Sequence, residues 1–494
     1  MQRTSRKIVS AISRAAIAAL LLAVIASCGG GGSGSASAPP PGTGSVNRAP
    51  VMTSGASVTV VSGSSGVVYT ASASDADNDT LSYAVSGEDA AAFVLDAGSG
   101  ALRFRNPPDA ATPGDANRDN DYRITVTVSD GKASASRDVS VVVMAVAGTG
   151  MREITSLELA QEMSPGWNLG NTLEAMPSET AWGNPPASQA LLNAVRAAGF
   201  RSVRIPVSWS QYADANYNIS PAWMARVTEV VNSARNADLY VIVNIHWDGG
   251  WMQPTYARQA EVNARLTKLW TQIANNFKGY DDHVLFAGTN EVMVDGDYGT
   301  PTVEYYRVQN SFNQAFVDAV RATGGNNALR HLIVQGFNTN IDHTVSFATL
   351  PADSVAHRLM MEVHYYDPYN FTLNTSSAIW QWGASATDPA ATETWANESW
   401  ADAQFQKMKA RFVDQGVPVI LGEYCASLRT EYDPDGIFRA RWDEYITRSA
   451  HQHGLVPIYW DAGATGNHGS GLFNRVSGAQ TYPDLVARIV SAAR

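Results

Sequence analysis

Cysteine and basic residues are both scarce in this sequence. The 494 residues include two cysteines, Cys28 and Cys425, which excludes a fold held by a disulfide framework. Lysine and arginine number 35 against 46 acidic residues, so the net charge is −11 at pH 7. A surface that binds nucleic acid needs a basic face, and the deficit of positive charge excludes that partner. The apolar run at residues 15–27 is too short to span a bilayer as a helix.

Residues 1–28 have the features of a signal peptide, and the apolar run forms its central part. The run follows a basic segment and ends in VIASC (24–28), which resembles the lipobox of bacterial lipoproteins. The resemblance implies that Cys28 is lipidated and anchors the exported protein in the cell envelope, at the outer membrane or cell surface. A plain signal peptide with an incidental cysteine is the alternative. If Cys28 is acylated, Cys425 has no disulfide partner and is expected to be a small, buried apolar residue.

Two further segments precede the main part of the chain. Residues 29–46 are rich in Gly, Ser and Pro and have no apolar periodicity, so they predict a flexible linker. Residues 47–147 contain short alternating β-branched runs, such as ASVTVV (56–61) and YRITVTVSDG (122–131), separated by turn clusters. This spacing is typical of a small all-β sandwich.

The acidic turns of residues 47–147 resemble bacterial cadherin-like modules. The resemblance implies a possible Ca²⁺ site, because hard cations prefer several oxygen ligands. Ordinary acidic turns are the alternative. The candidate ligands are Asp75, Asp77, Asp79, Asp119 and Asp121.

Residues 151–494 change to an alternation of apolar strands and amphipathic helices. Eight such units over this length predict an α/β fold of the (β/α)8 TIM barrel type. The helical pattern is weak only at residues 341–357, after the fifth strand. We therefore expect a short connection there.

Polar and aromatic side chains follow nearly every predicted barrel strand. In a TIM barrel the carboxyl ends of the strands carry the functional residues. Two glutamates in this set, with no metal-ligand pattern, favour hydrolysis of an acetal, which needs a proton donor and a second carboxylate. The strand-end residues are Trp167, Asn168, Arg204, His246, Asn290, Glu291, His364, Tyr366, Glu423 and Trp460.

The motifs around these residues resemble family 5 of the glycoside hydrolases, the large cellulase family of clan A. The resemblance covers essentially all of residues 151–494, with the motifs in the expected order. They are GWNLGNTLE (166–174), SVRIPVSW (202–209), NIHW (244–247), TNEV (289–292), EVHYYDPYNF (362–371), LGEY (421–424) and YWD (459–461).

The resemblance implies a role for each matching residue. Glu291 corresponds to the general acid/base and Glu423 to the nucleophile, which Arg204 orients. Asn290 corresponds to the amide that holds the sugar 2-hydroxyl, and Trp460 to the aromatic floor at the cleavage point. The remaining residues implied to line the cleavage point are His246, His364 and Tyr366. Asn171, within GWNLGNTLE, and Trp182, in the loop after the first strand, are further residues expected to bind substrate.

Two positions depart from the family pattern. Val292 follows the acid/base where many members have proline, and Trp247 stands where many have a second histidine. Neither change removes a catalytic group, but we expect Trp247 to alter the glycone-side surface and with it the substrate specificity. Glu362 is expected to be a structural, hydrogen-bonded carboxylate. The loop tryptophans are expected to include both substrate platforms and residues that pack their own loops: Trp182, Trp251, Trp380, Trp382 and Trp395.

Together these features predict a monomeric, retaining endo-β-1,4-glucanase that needs no catalytic cofactor and acts on plant cell-wall β-glucan. The alternatives within the same scaffold are a xyloglucanase, a mixed-linkage β-glucanase and a β-mannanase. A non-catalytic glycan-binding lipoprotein is a remote alternative, because both glutamates are present.

Overall fold

The computed structural model describes residues 47–62, 64, 66–110, 113–144 and 150–494. The predicted signal peptide, Cys28 and the whole predicted linker (29–46) lie outside these residues. Among the described helices, none combines the length and apolar character that crossing a bilayer requires.

The N-terminal strands form small sheets that pack around a common apolar core. A four-stranded sheet has the order β2-β9-β8-β5, a three-stranded sheet the order β3-β7-β6, and β1 pairs with β4. The strands are β1 (Val51–Met52), β2 (Ser57–Val61), β3 (Tyr69–Thr70), β4 (Ala73–Ser74), β5 (Ser82–Ser86), β6 (Phe93–Leu95), β7 (Ala101–Phe104), β8 (Asp121–Ser129) and β9 (Ser134–Met144).

Side-chain alternation explains why the four-stranded and three-stranded sheets pack face to face. Along β8, Tyr122 and Ile124 are buried, whereas the intervening Arg123 points outward, as the two-residue period of a strand requires. The ring of Tyr122 packs edge-on against Phe104 of the three-stranded sheet, with the centroids 5.1 Å apart. The predicted sandwich architecture is therefore present.

The larger part of the chain is a closed barrel of eight parallel strands, which confirms the predicted (β/α)8 fold. Nearly every strand residue is buried, because the inner face meets the barrel core and the outer face meets the helices. The strands are β10 (Gly166–Leu169), β11 (Ser202–Ile205), β12 (Tyr240–Asn244), β13 (Val284–Ala287), β14 (Leu332–Gln335), β15 (Leu359–His364), β16 (Val419–Glu423) and β17 (Leu455–Asp461).

Helices surround the barrel and close its amino-terminal end. Leu159 and Met163 of the first helix pack against inward-facing strand residues such as Ile242 and Leu285, so that end is filled with apolar side chains. The connection after the fifth strand contains a helix of only seven residues, as expected. The helices are α1 (Ser156–Met163), α2 (Gln189–Ala197), α3 (Pro221–Asn236), α4 (Tyr256–Asn276), α5 (Val303–Ala322), α6 (Ile341–Phe347), α7 (Tyr369–Thr372), α8 (Glu398–Arg411), α9 (Ile437–Gln452) and α10 (Pro483–Ala492).

Candidate active site

Polar side chains at the carboxyl ends of the barrel strands meet around one buried guanidinium. Arg204, on β11, is fully buried. Its Nη1 donates to Glu423 Oε1 over 3.0 Å and to Asn168 Oδ1 over 3.1 Å. Its Nη2 donates to Asn290 Oδ1 over 2.7 Å. A single cation therefore fixes side chains from three other parts of the barrel mouth.

Glu423 reaches this cleft because β16 is irregular at its end. Strict alternation would turn Gly422 inward and Glu423 outward. The pairing of β15 with β16 shifts register between Val363 and His364, and His364 then pairs with Glu423. A bulge of this kind re-aims a side chain. Here it lets two consecutive residues, Gly422 and Glu423, face the barrel interior.

The carboxylate of Glu423 is held by donors on both of its oxygens. Tyr366 Oη donates to Oε2 over 3.1 Å, while Arg204 occupies Oε1. Burial raises the pKa of Glu423, and the positive charges of His364 and Arg204 act against that rise. Burial and the Glu423 carboxylate raise the pKa of Tyr366 well above 10, so its hydroxyl stays a neutral donor.

Glu291 lies across the cleft from Glu423 and is more accessible. Its side chain is 42% exposed, against 7% for Glu423. Oxygen atoms of the two carboxylates lie within 4.8 Å of each other. Enzymes that invert the anomeric centre separate their carboxyl groups by about 6.5–9.5 Å, whereas retaining enzymes keep them about 5–5.5 Å apart. The short spacing is that of a retaining pair.

His364 lies between the two glutamates. Its Nδ1 is 2.9 Å from Glu291 Oε1 and 3.6 Å from Glu423 Oε2, and its Nε2 is 3.3 Å from Glu362 Oε1. Burial alone would lower the pKa of His364. The surrounding carboxylates outweigh that effect and raise it to about 9. Both ring nitrogens therefore carry protons near pH 7.

His246 has the opposite charge state. Burial, and then the nearby charges of Arg204 and His364, lower the pKa of His246 well below 6.5, so the ring is neutral. Its Nδ1 is 3.2 Å from Asn244 Nδ2, and its Nε2 is 4.0 Å from Glu423 Oε1. The ring stacks on Trp460 with an interplanar angle of 9°. This pair forms a flat wall beside Glu423.

The same region of the chain matches a known family. Residues 168–466 match the profile of the cellulase family, glycosyl hydrolase family 5. The chain belongs to glycosyl hydrolase family 5.

Individual relatives agree with this assignment. The chain is 40% identical to Endoglucanase A of Paenibacillus barcinonensis, over 69% of this chain and 90% of that protein. It is 43% identical to a xyloglucan-specific endo-beta-1,4-glucanase of Bacteroides ovatus, over 69% and 71%. The solved family 5 xyloglucanase of Paenibacillus pabuli is 42% identical, with a TM-score of 0.66 over 68% of this chain and all of that one. The prediction of a glycoside hydrolase of the endoglucanase type is confirmed.

The N-terminal strands have a family of their own. Residues 47–142 match the profile of a bacterial Ig domain. This match supports an Ig-like β domain before the family 5 barrel.

The five carboxylates predicted to bind Ca²⁺ in this Ig-like region do not converge. In the described part of the chain, no three of them offer oxygen atoms within 4.8 Å of one another. Asp79 lies 2.8 Å from Lys132 Nζ, and Asp119 lies 2.8 Å from Arg123 Nη2. Two of the five predicted ligands thus form ion pairs with cations of the chain itself. The five are Asp75, Asp77, Asp79, Asp119 and Asp121.

Two residues expected to bind substrate lie in the loop after β10 of the family 5 barrel. Asn171 has a φ of +56°, and its backbone N–H donates to the buried carboxylate of Glu174. Trp182 is 44% exposed. Both are therefore held by the loop rather than by a strand.

The other tryptophans of the barrel mouth differ in exposure. Trp247 is 57% exposed and Trp395 is 50% exposed, so their faces are accessible to a sugar ring. Trp382 is buried and donates to Ala396 O, so it packs its own loop. Trp251 stacks under the guanidinium of Arg265 at 4.0 Å.

The fifth strand carries a polar residue that the sequence reasoning missed. Gln335, at the end of β14, is fully buried. Its Nε2 donates to Glu362 Oε2 over 2.6 Å, and its Oε1 accepts from Thr289 N and Oγ1 over 3.0 and 2.9 Å. The signal in the sequence was a polar residue at the end of a strand that is buried on both faces.

Proposed function

We propose that this protein is a retaining endo-β-1,4-glucanase in which Glu423 is the nucleophile and Glu291 the general acid/base. The observation that carries the proposal is the spacing of the two carboxylates, whose oxygen atoms lie within 4.8 Å of each other across the cleft. Glu423 is buried and held by donors, as suits a nucleophile, while Glu291 is accessible to a leaving group.

In the first half-reaction a Glu423 oxygen attacks the anomeric carbon. The glycosidic C–O bond breaks, and protonated Glu291 gives its proton to the departing oxygen. The result is an ester between Glu423 and the sugar. Arg204 and Tyr366 position the attacking carboxylate, and Arg204 also orients the Asn290 amide. We assign this amide to the sugar 2-hydroxyl.

In the second half-reaction a water molecule displaces Glu423 from the sugar. The Glu291 carboxylate takes a proton from water while the water oxygen bonds to the anomeric carbon. The bond to Glu423 breaks, and its electron pair returns to the carboxylate. Two displacements at one carbon retain its configuration, and Glu291 ends protonated as it began.

A glucan chain is the substrate class that the cleft and the relatives favour. The names of the similar proteins include endoglucanases and xyloglucan-specific enzymes. Exposed faces of Trp182, Trp247 and Trp395 offer stacking surfaces for sugar rings. The net charge of −11 gives no reason to expect an acidic polymer.

Product analysis on soluble polysaccharides tests this proposal. We expect the viscosity of carboxymethylcellulose to fall well before much reducing sugar appears, because internal bonds are cut. NMR of the first-formed product should show the β-anomer. Release of only short sugars from chain ends would contradict endo action, and an α-anomer would contradict the retaining mechanism.

Branched xyloglucan is a second candidate substrate. A solved Bacteroides ovatus family 5 xyloglucanase in complex with a XXXG heptasaccharide aligns with 90% of this chain at 34% identity, with a TM-score of 0.67. Tamarind xyloglucan, barley mixed-linkage glucan and glucomannan should be compared with carboxymethylcellulose at equal mass concentration. A kcat/KM at least about tenfold higher on xyloglucan, a difference of about 1.4 kcal/mol in transition-state binding, would assign the enzyme to branched glucan.

We further propose that Cys28 anchors the enzyme in the bacterial cell envelope through a lipid. The support is the basic segment, the apolar run at 15–27 and the VIASC stretch. Cys28→Ser should move active enzyme from the membrane fraction to the soluble fraction. Membrane retention of Cys28→Ser after a high-salt wash would contradict the lipid anchor.

A further inference from the structure

A third carboxylate lies beneath the Glu291–Glu423 pair. Glu362, on β15, is fully buried. Its Oε1 is 2.9 Å from Arg204 Nε and 3.3 Å from His364 Nε2. The buried Glu362 carboxylate thus contacts both Arg204, which positions the proposed nucleophile, and His364, which faces the proposed acid/base.

The surroundings of Glu362 hold it in this place. Gln335 donates to its Oε2 over 2.6 Å and is itself tied to Thr289, two residues before Glu291. A β-carbon at Gly422 would collide with Glu362 Oε1, so only glycine leaves space for the carboxylate at that point of β16. The barrel is therefore built around a fixed negative charge.

The charges that face His364 change during the reaction. In the resting enzyme Glu423 is a carboxylate 3.6 Å from Nδ1, but in the covalent intermediate it is an uncharged ester. Glu362 takes no part in bond making, so its charge persists through both half-reactions. Glu291, Glu362 and Glu423 interact with His364 directly, and His246 lies close enough to feel its charge. Arg204 and Tyr366 complete the group through their contacts with Glu362 and Glu423.

We propose that Glu362 is a positioning residue that keeps His364 protonated in the covalent intermediate, so that Glu291 is left as a carboxylate able to activate water. This inference rests on the proposed retaining function. His364 and Glu291 share one proton in the intermediate. Glu362 lies beside the imidazole end of this pair and stabilises the form in which the proton resides on the ring.

The substitution Glu362→Gln removes the charge while keeping the size of the side chain. The shared proton then resides on Glu291 near pH 7, and the base for water attack is blocked. Raising the pH removes that proton and restores the base. A purely structural defect, such as a displaced Arg204, would not recover with pH.

Dinitrophenyl β-cellobioside separates the two half-reactions, because its leaving group needs no proton, and we therefore expect water attack to limit kcat. For Glu362→Gln we expect kcat at pH 6 to fall about 100-fold, with a smaller loss in kcat/KM and a lower KM. The loss in kcat should shrink towards pH 9. Azide attacks without a general base, so it should restore turnover at pH 6. Equal losses in kcat and kcat/KM at every pH, without rescue by azide, would overturn the proposal.

An NMR titration tests the charge effect without any substrate. The resonance of His364, assigned by its loss in His364→Gln, should titrate at least about one pH unit lower in Glu362→Gln than in the wild type. An unchanged midpoint would overturn this inference whether or not the protein cleaves glucan. Failure of the wild type on every glucan would instead contradict the proposed function.

Two variants serve as controls. Glu362→Asp keeps the negative charge, so its kcat should have the wild-type pH dependence even if its level falls. Asp282→Asn removes a buried carboxylate that pairs with Arg152 over 2.5 Å at the start of β13, at the opposite end of the barrel. It should lower the unfolding temperature without changing the pH dependence of kcat. A pH-dependent loss in Asp282→Asn would show that the effect is not specific to Glu362.

Discussion

Arg204 Nη1 lies 3.0 Å from Glu423 Oε1, and both side chains are shielded from solvent. The same guanidinium also meets Asn168, Asn290 and Glu362, so its flat fork of donors is used in several directions. A lysine would keep the charge but could not reach these partners together.

We therefore expect Arg204→Lys to lower kcat about 100-fold or more while the enzyme remains folded, because the carboxylate and amide would lose their orientation. Kinetics on carboxymethylcellulose and the unfolding temperature measure the two effects. Arg488→Lys is a matched control, since Arg488 forms a more exposed pair with Glu444. An Arg204→Lys enzyme with wild-type kcat would contradict the positioning role.

The raised pKa of His364 predicts how stability depends on pH. Burial lowers this pKa, but the neighbouring carboxylates raise it to about 9 in the folded protein. The unfolded chain has the ordinary value of about 6.5. The contribution to stability is therefore fully present below pH 6.5 and is lost as the pH rises through 9, with a limit of about 3 kcal/mol.

Urea titrations between pH 6 and 10 measure this effect. The wild type should lose more unfolding free energy over this range than His364→Gln. His468→Gln, at a histidine whose side chain is 44% exposed, should behave as the wild type does. Parallel curves for the wild type and His364→Gln would contradict a stabilising charge on His364.

The arrangement of acidic residues in the Ig-like region predicts that Ca²⁺ changes neither the stability nor the activity of the protein. Lys132 and Arg123 pair with Asp79 and Asp119, and the carboxylates do not share one centre. We expect neither EDTA nor millimolar CaCl₂ to change the unfolding temperature or the activity. A Ca²⁺-dependent rise in the unfolding temperature, abolished in Asp75→Asn but not in the exposed-loop variant Asp297→Asn, would contradict this reading.

The strand ends could be predicted from the sequence because the parallel barrel places them at one mouth. Glu291, Glu423 and Arg204 were found in this way, and the structure brings them together. The inward direction of Glu423 could not be predicted, since it depends on a bulge that breaks the alternation.

Contacts between distant strands were equally hidden from the sequence. The role of Gln335 could not be predicted, because its partners, Thr289 and Glu362, lie on other strands. Trp382 and Trp395 occupy the same loop region, yet one is buried and the other is half exposed. Such differences arise from tertiary packing, which local patterns do not encode.

Replacing the two proposed catalytic glutamates should give different defects. Glu423→Gln should be almost inactive on every substrate, because no ester can form. Glu291→Ala should still form the ester from dinitrophenyl β-cellobioside, and azide should then release a β-glycosyl azide, since azide needs no base. Mass spectrometry of the trapped enzyme and NMR of the azide product measure both steps. An α-glycosyl azide from Glu291→Ala would instead mean that azide attacks the substrate directly, with Glu423 acting as a general base.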